Sequence, residues 1–399
     1  MNRKCLMPFC NLTVNPDGTA APCCKYDINK KNEELKRQTL YNSNIKELFY
    51  QPAMEKIRQQ FLNGEEPKEC QLCWDEESSG LTSIRQHRFN LSKIEDHKSK
   101  YQSLYEEPKI ITLDLKFSSL CNLKCRICGP YCSSTWLGES LDTGVHKNTI
   151  KIFSKYAERK FVDNNDNFKI FNELIPNLHI IEFYGGEPLM QPEHRTILKM
   201  LNDYSDIKNL ELYYNTNGTQ YDNFFIDVWK KVSIVELNIS IDDIKERFEY
   251  QRYPAKWSEI EQNIKKFRDN CSTNVNINLY CTVSLYNIFY VDEFIKYNAE
   301  KFKLPLRFNL VHYPETMSIK NLPDKIKSIV LSKINNLSKE ELSYIEKGFH
   351  IDNILNFMLE SSTNNFEKFL ETTNKHDAYR NQLFKKTFLE YWNALNENN

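Results

Sequence analysis

The chain lacks any long apolar run: nothing in its 399 residues approaches the roughly 20 consecutive apolar residues that carry a helix across a bilayer. Met1-Asn2-Arg3-Lys4-Cys5 leads into no apolar segment of the signal-peptide kind, so the expected location is cytoplasmic. Net charge is also nearly absent. Lys and Arg total 53 against 54 Asp and Glu, for a formal charge of -1. That balance leaves no broad positive field, and neither a nucleic acid nor a membrane surface is expected as a partner. Glycine is scarce, at 10 residues, and there is no internal repeat beyond a supersecondary rhythm. The length exceeds what a single core usually supports, which predicts a large domain with smaller appended parts.

Against these absences stand 12 cysteines. In a chain without an export signal, ligation of a metal or cluster explains that number better than disulfides do. The cysteines are grouped. Cys5, Cys10, Cys23, Cys24, Cys70 and Cys73 lie in the first hundred residues, Cys121, Cys125, Cys128 and Cys132 fall in one short stretch, and Cys271 and Cys281 read as ordinary thiols. The charged stretch Glu95–Lys109 has no sustained apolar face and reads as a connection. We therefore divide the chain into an N-terminal cysteine-rich module at 1–106, a central domain at 107–315 and a C-terminal extension at 316–399.

From Lys109 to Val311, short apolar strands alternate with longer amphipathic segments, the pattern of repeated βα units on a parallel sheet. Six strands are predicted: Ile110–Lys116, Leu178–Tyr184, Leu210–Asn215, Val235–Ile241, Val275–Val283 and Leu306–Val311. Trp257–Phe267 has helical spacing. About 200 residues is short for eight βα units, so the expected fold is α/β, a partial six-stranded TIM-like barrel, (β/α)6, open on one side. Two strands alternate, whereas buried parallel strands usually read as continuous apolar runs. Val235, Leu237, Ile239 and Ile241 oppose Asn238, Ser240 and Asp242, and Val275, Ile277, Leu279, Cys281 and Val283 oppose Asn276, Asn278, Tyr280, Thr282 and Ser284. Either the sheet is antiparallel and half solvated, or the barrel has a polar lumen suited to a polar cofactor and substrate.

In such barrels the ligand site gathers at the C-terminal strand ends. The conspicuous groups sit there: Cys121-x3-Cys125-x2-Cys128 after the first strand, Gly185-Gly186-Glu187-Pro188 after the second, Asn217-Gly218 after the third, and Ser240-Ile241-Asp242 at the fourth. Three thiolates at this spacing can hold three irons of a cubane, leaving the fourth iron open. A zinc site is the alternative, but it wants a fourth protein ligand, for which Cys132 and His146 are nearest. We read Cys132 instead as a small apolar filler. The Gly-Gly pair permits close backbone approach to a ligand, and Glu187 can accept from an ammonium. Taken alone, Arg252 reads as a solvated charge, Ser240 and Asp242 as strand-end caps, and Asn217-Gly218 as a turn.

Together, Cys121-x3-Cys125-x2-Cys128, Gly185-Gly186-Glu187-Pro188, Ser240 and Arg252, in that order and at those strand ends, resemble the radical S-adenosylmethionine (SAM) superfamily over about residues 109–315. The resemblance implies that Cys121, Cys125 and Cys128 ligate a [4Fe–4S] cluster whose open iron binds the amino and carboxylate groups of SAM. It implies further that Gly185, Gly186, Glu187 and Pro188 form the segment at the SAM amino group, that Ser240 and Arg252 hold its carboxylate, and that Asn217 and Asp242 lie near the ribose. One departure is Ile127 before Cys128, where many members place an aromatic.

The N-terminal module carries Cys5-x12-Gly18-x4-Cys23 and then Cys70-x2-Cys73, with Pro16-Asp17-Gly18 as a hairpin turn. A four-cysteine zinc ribbon is one reading of that spacing. The module also resembles the twitch domain, a shortened relative of SPASM that holds one auxiliary [4Fe–4S] cluster, and the run from Cys70 to Arg85 is similar to a subgroup with the module at its N-terminus. Cys5, Cys23, Cys70 and Cys73 are then the implied ligands, with Cys10 and Cys24 as alternates.

The implied activity is reductive cleavage of SAM to a 5′-deoxyadenosyl radical that takes hydrogen from a substrate, a small molecule or peptide. A one-electron donor such as flavodoxin or ferredoxin is the implied partner. The alternatives are a cysteine-rich zinc scaffold or a non-catalytic Fe–S/SAM-binding protein. No catalytic acid or base is singled out, and His87, His97, His179, His194, His312, His350 and His376 read as surface or packing residues. After Pro323 the chain reads as helical, with a capping box at Ser338-Lys339-Glu340-Glu341, runs at Ile351–Leu359 and Phe366–Leu370, and a final helix from Asp377 through Trp392. This extension is expected to pack across the open side of the barrel.

Overall fold

The structure is a computed structural model and describes residues 5–27, 33–78, 83–86, 103–146, 165–311, 313–362 and 364–397. His87, His97, His312 and the first part of the Glu95–Lys109 connection lie outside the described residues. Eight strands are ordered β2-β1-β3-β4-β5-β6-β7-β8, namely β1 Asn11–Val14, β2 Ala20–Ala21, β3 Thr112–Leu115, β4 Ile180–Phe183, β5 Glu211–Thr216, β6 Ile234–Ser240, β7 Val275–Val283 and β8 Leu306–Leu310. The six strands expected between Lys109 and Val311 are β3 to β8, each within two residues of its predicted ends. The chain divides into two compact units: 1–119 with 156–214 and 223–235, and 120–155 with 215–222 and 236–399.

In the first unit β1, β3, β4 and β5 are parallel, in the register Val14↔Leu115, Leu115↔Phe183 and Phe183↔Tyr214. Strand β7, one of the two that alternate, is likewise parallel to β8, against the antiparallel alternative. The N-terminal hairpin forms as expected, with Val14 opposite Ala20 and Gly18 in the turn at φ 76°. A Cβ at Gly18 would stand 2.6 Å from the Tyr41 ring, so both the backbone and the space require glycine. Its partnership with β3 was not expected: β1 adds to the sheet, and Thr13 and Asn11 donate to the buried Asp114 carboxylate at 2.6 and 3.4 Å. Leu113, Ile181, Phe183 and Leu212 are buried, as are the apolar stripes Ile197, Leu198 and Leu201 of helix Pro192–Asp203 and Phe225, Ile226 and Trp229 of helix Asn223–Trp229. His194 is buried among Phe183, Tyr214 and Phe225, with Nε2 3.1 Å from the Tyr214 hydroxyl.

In the second unit β7 and β8 are parallel, from Leu279↔Leu306 to Val283↔Leu310. The alternation in β6 and β7 is real: Leu237, Ile239, Leu279 and Cys281 are fully buried on one side, and the polar side builds a network. Arg307 Nη1 donates to Asn238 Oδ1 at 2.9 Å and pairs with Glu236 at 3.1 Å, while Asn278 donates to both Glu236 and Asn238. The polar faces at this depth are thus consumed by one another, which is how buried polar groups escape the cost of desolvation. Tyr344–Glu346 runs along the outer side of β8, bonded through Leu306 N to Tyr344 O at 2.8 Å and Glu346 N to Leu306 O at 2.9 Å.

The C-terminal region is helical as expected. Ser338 and Glu341 form the reciprocal cap of Lys339–Leu342, and Ile351–Leu359 is a helix. The single final helix from Asp377 to Trp392 is not found. Phe366–Arg380 ends at Asn381 with φ 52°, and Phe384–Thr387 and Leu389–Asn396 follow as separate helices. Asn tolerates that left-handed position, which is why the chain can turn there without glycine.

Candidate functional site

The loop after β3 is irregular, and its position is set by hydrogen bonds to the segment Tyr250–Tyr253. Lys124 N donates to Tyr253 O at 2.6 Å and Arg126 N to Gln251 O at 2.8 Å, so Cys125 is held between two main-chain contacts. The Cys125 O to Cys128 N bond of 2.9 Å closes the turn that brings these two residues together. Cys121 and Cys125 are buried and Cys128 is half-buried. Each of the first two has a side-chain donor: Asn217 Nδ2 lies 3.7 Å from Cys121 Sγ, and Arg252 Nη1 lies 3.8 Å from Cys125 Sγ. A hydrogen bond with Cys128 and, against the effect of burial, the Arg252 charge hold the Cys125 thiol below its ordinary value. The same bond, one to Cys132 and burial push Cys128 well above it.

Arg252 is 6 % exposed, so the reading of a solvated charge is corrected. Its Nη2 pairs with Asp242 Oδ2 at 2.9 Å, and Asp242 and the Cys125 thiolate, against burial, push the guanidinium above its usual value. Its Nε is buried and has no partner among the described residues. Asp242 also accepts from Thr282 N at 3.1 Å, and Ser240 ends β6 half-buried two residues before it. Asn217 is occupied within the loop: Nδ2 donates to Asn122 at 2.9 Å, and Oδ1 accepts from Thr219. Cys132 corrects another expectation. It is exposed, and its sulfur is hydrogen-bonded to Cys128, so it is no buried filler.

In the first unit, Gly185 and Gly186 both have positive φ, 73° and 55°, and a Cβ at Gly185 would meet the Lys116 side chain at 3.0 Å. Glu187 is fully buried, and its carboxylate caps the short turn Pro188–Met190 by accepting from Leu189 N at 3.1 Å.

The same unit places Cys5, Cys23, Cys70 and Cys73 around one small cavity, together with Lys25 and Arg85. Cys10 and Cys24 are not among its lining residues; the Cys10 thiol instead donates to Leu6 O at 3.3 Å. Cys70 and Cys73 come from the joined turn and helix Lys68–Cys70 and Gln71–Ser78, and Cys5 and Cys23 flank the β1–β2 hairpin. Burial pushes the Cys5 thiol up to about 12 and raises Cys23, Cys70 and Cys73 in the same direction. Lys25 pairs with Glu76 at 3.0 Å, and Arg85 pairs with Glu77 and stacks over Trp74 at 4.9 Å. Among the described residues, no three His, Cys, Asp or Glu side chains are closed up around a single-ion position. The donor chemistry nonetheless fits an iron–sulfur group: four soft thiols line one cavity, and the positive iron of a cluster would stabilise the thiolate forms that burial disfavours.

The sequence reading missed the charged residues that grip the cysteine loop from the C-terminal region, above all Asp377 and Arg380. Arg126, lying between two cysteines, was a usable signal; nothing in the local pattern marks a partner about 250 residues away.

Comparison with known families agrees with this arrangement. Residues 115–284 match the radical SAM superfamily, and residues 5–74 match the SPASM iron–sulfur cluster-binding domain. The chain therefore carries a radical SAM domain, which implies a [4Fe–4S] cluster and SAM, together with an N-terminal SPASM-type domain for an auxiliary cluster. Among solved structures, it is similar to anSMEcpe with bound AdoMet and a Cp18Cys peptide, at 22 % identity, covering 56 % of this chain and 58 % of that one, with a TM-score of 0.36. It is also similar to Streptococcus suis SuiB bound to precursor peptide SuiA, at 11 % identity, with 67 % and 59 % coverage and a TM-score of 0.38. The chain thus spans less than two thirds of either neighbour's length. No curated protein matches it significantly.

Proposed function

We propose that this chain is a radical SAM enzyme whose cleavage cluster is held by Cys121, Cys125 and Cys128 and whose auxiliary cluster is held by Cys5, Cys23, Cys70 and Cys73. The observation that carries this reading is Arg252: a buried guanidinium, anchored to Asp242 and touching Cys125, whose Nε has no partner among the described residues. A leftover charged donor there suits a carboxylate such as that of SAM. When bound, the reduced cluster and SAM supply a 5′-deoxyadenosyl radical that abstracts hydrogen from substrate.

The chain's own residues then have separable tasks. Asp242 fixes the Arg252 fork, Asn217 ties the Cys121–Asn122 turn to the end of β5, and Ser240 offers a hydroxyl near the same strand end. Gly185 and Gly186 turn the chain in conformations closed to most residues, and Glu187 is the proposed acceptor for an ammonium. Lys25 and Arg85 offset the charge of the four N-terminal thiolates. The proposed division is 1–106, 107–315 and 316–399, and a flavodoxin- or ferredoxin-like protein would deliver the electron. The substrate is a small molecule or peptide.

Anaerobic reconstitution tests this reading. It predicts about eight irons per chain as two cubanes, and 5′-deoxyadenosine on adding dithionite and SAM. Failure to form the nucleoside at full iron loading would overturn the enzyme reading. One observation favours a second reading: Cys132, an exposed thiol hydrogen-bonded to Cys128, could serve as a fourth thiol for zinc. In that case the protein would be colourless, and Cys132→Ala would lose the metal; on the favoured reading Cys132→Ala keeps its iron.

A further inference from the structure

Cys125 is flanked by two cations, Lys124 and Arg126, and both are gripped through one helix, Phe366–Arg380. Arg126 is almost wholly buried. Its Nη2 donates to Asp377 Oδ1 at 2.6 Å and to Gln382 Oε1 at 2.9 Å, its Nε to Tyr250 O at 3.2 Å, and its guanidinium lies 3.7 Å over the Tyr250 ring. Asp377 is a junction: it also accepts from the Tyr250 hydroxyl at 2.6 Å and from Phe384 N at 2.6 Å. On the other flank, Lys124 Nζ lies 3.4 Å from Glu139 Oε2. Glu139 is fully buried and is held by His376 Nδ1 at 2.8 Å and Arg380 Nε at 2.9 Å. Residues 376, 377 and 380 fall on one side of the helix, as spacings of three and four require. The helix thus contacts the loop on both sides of a single cysteine, and neither contact is explained by covering an open barrel side.

Buried ion pairs contribute little net stability relative to apolar packing, but they specify a geometry, because breaking one strands a charge. We propose that helix Phe366–Arg380 sets the register of the Cys121–Cys128 loop, with Asp377 and Arg380 as positioning residues that act on Cys125 through Arg126 and through Glu139–Lys124. The consequence for the cluster rests on the proposed ligand role of Cys125; the positioning of the loop does not.

The test uses the full chain, prepared anaerobically as wild type, Asp377→Ala, Asp377→Asn and Cys125→Ala. In cluster-free protein, iodoacetamide labelling of Cys125 and Cys128 is followed by peptide mapping, with the fully buried Cys281 as the gauge of global folding. In Asp377→Ala, labelling of Cys125 should rise roughly tenfold or more while Cys281 stays protected, since losing one partner of a buried pair frees its neighbour. Asp377→Asn keeps acceptor oxygen for Arg126 and should fall between the two. After reconstitution, Asp377→Ala should fall from about eight irons towards about four, and the spectrum of the remaining cluster should not respond to SAM. Unchanged labelling of Cys125 and Cys128 with Cys281 protected overturns the proposal. If Asp377→Ala exposes Cys281 as well, Asp377→Asn decides by the same comparison. Cys125→Ala retaining all its iron would instead remove the ligand assignment, and the labelling result would still decide the positioning.

Discussion

At the scale of single residues, a buried charge is informative because it must have a reason to be there. Arg252 illustrates this: its surrounding sequence, Glu249-Tyr250-Gln251-Arg252-Tyr253-Pro254, reads as a polar surface segment, yet the guanidinium is fixed between Asp242 and Cys125. Arg252→Lys keeps the charge but loses the planar fork, so SAM affinity measured by equilibrium dialysis on the cluster-loaded protein should fall about tenfold or more. Equal affinity would separate Arg252 from SAM binding. His194 makes a stability statement. Burial lowers its pKa to about 3, against roughly 6.5 in the unfolded chain. The unfolded state therefore binds the proton first as pH falls, and stability present above pH 6.5 is lost progressively between there and pH 3. At pH 5 the loss is about 2 kcal/mol. His194→Gln should flatten the dependence of the urea midpoint between pH 6.5 and 4 relative to wild type; parallel curves would contradict the burial account.

At the scale of elements, the barrel strands were legible because β-branched and aromatic runs bounded by turn residues carry their own signal. β6 and β7 added the alternation that the Glu236–Asn238–Asn278–Arg307 network now explains. β1 was less legible. Asn11-Leu12-Thr13-Val14 is four residues, two of them polar, and its partner β3 is about 100 residues away, so no local pattern announces the pairing. The hairpin turn was legible from Pro16-Asp17-Gly18, and it yields a sharp expectation. Gly18→Ala places a Cβ against Tyr41 at positive φ and should cost about 1–3 kcal/mol, read as a lower urea midpoint. A neutral result would mean that the turn can change type. The break at Asn381 escaped notice because the residues around it keep a helical composition, and a single left-handed residue decides the boundary.

At the scale of the whole chain, the motif order announced the radical SAM domain, and the resemblance to the twitch module favoured Cys5 and Cys23 over Cys10 and Cys24; Cys5 and Cys23 line one cavity with Cys70 and Cys73. What stayed hidden was long-range. The grip on Lys124 and Arg126 comes from helix Phe366–Arg380, and such pairings join residues whose separation in sequence carries no regular pattern. Electrostatic ties of this kind are set by tertiary packing, whereas strands and caps are set by neighbours within a few residues.

The pairing of β1 with β3 has a bearing on how the protein can be handled. A fragment of residues 107–399 would lose Asn11–Val14, and with it the main-chain partners of Thr112–Leu115 and two donors to Asp114. An uncovered strand edge is a template for other chains, so the fragment should aggregate in size-exclusion and light-scattering measurements under conditions where the full chain does not; a monodisperse fragment with native circular dichroism would contradict this. On that expectation the cysteine module would also serve solubility. Oxidative damage that loosens Cys5 or Cys23 from their place beside the hairpin should then be visible as turbidity as well as loss of iron.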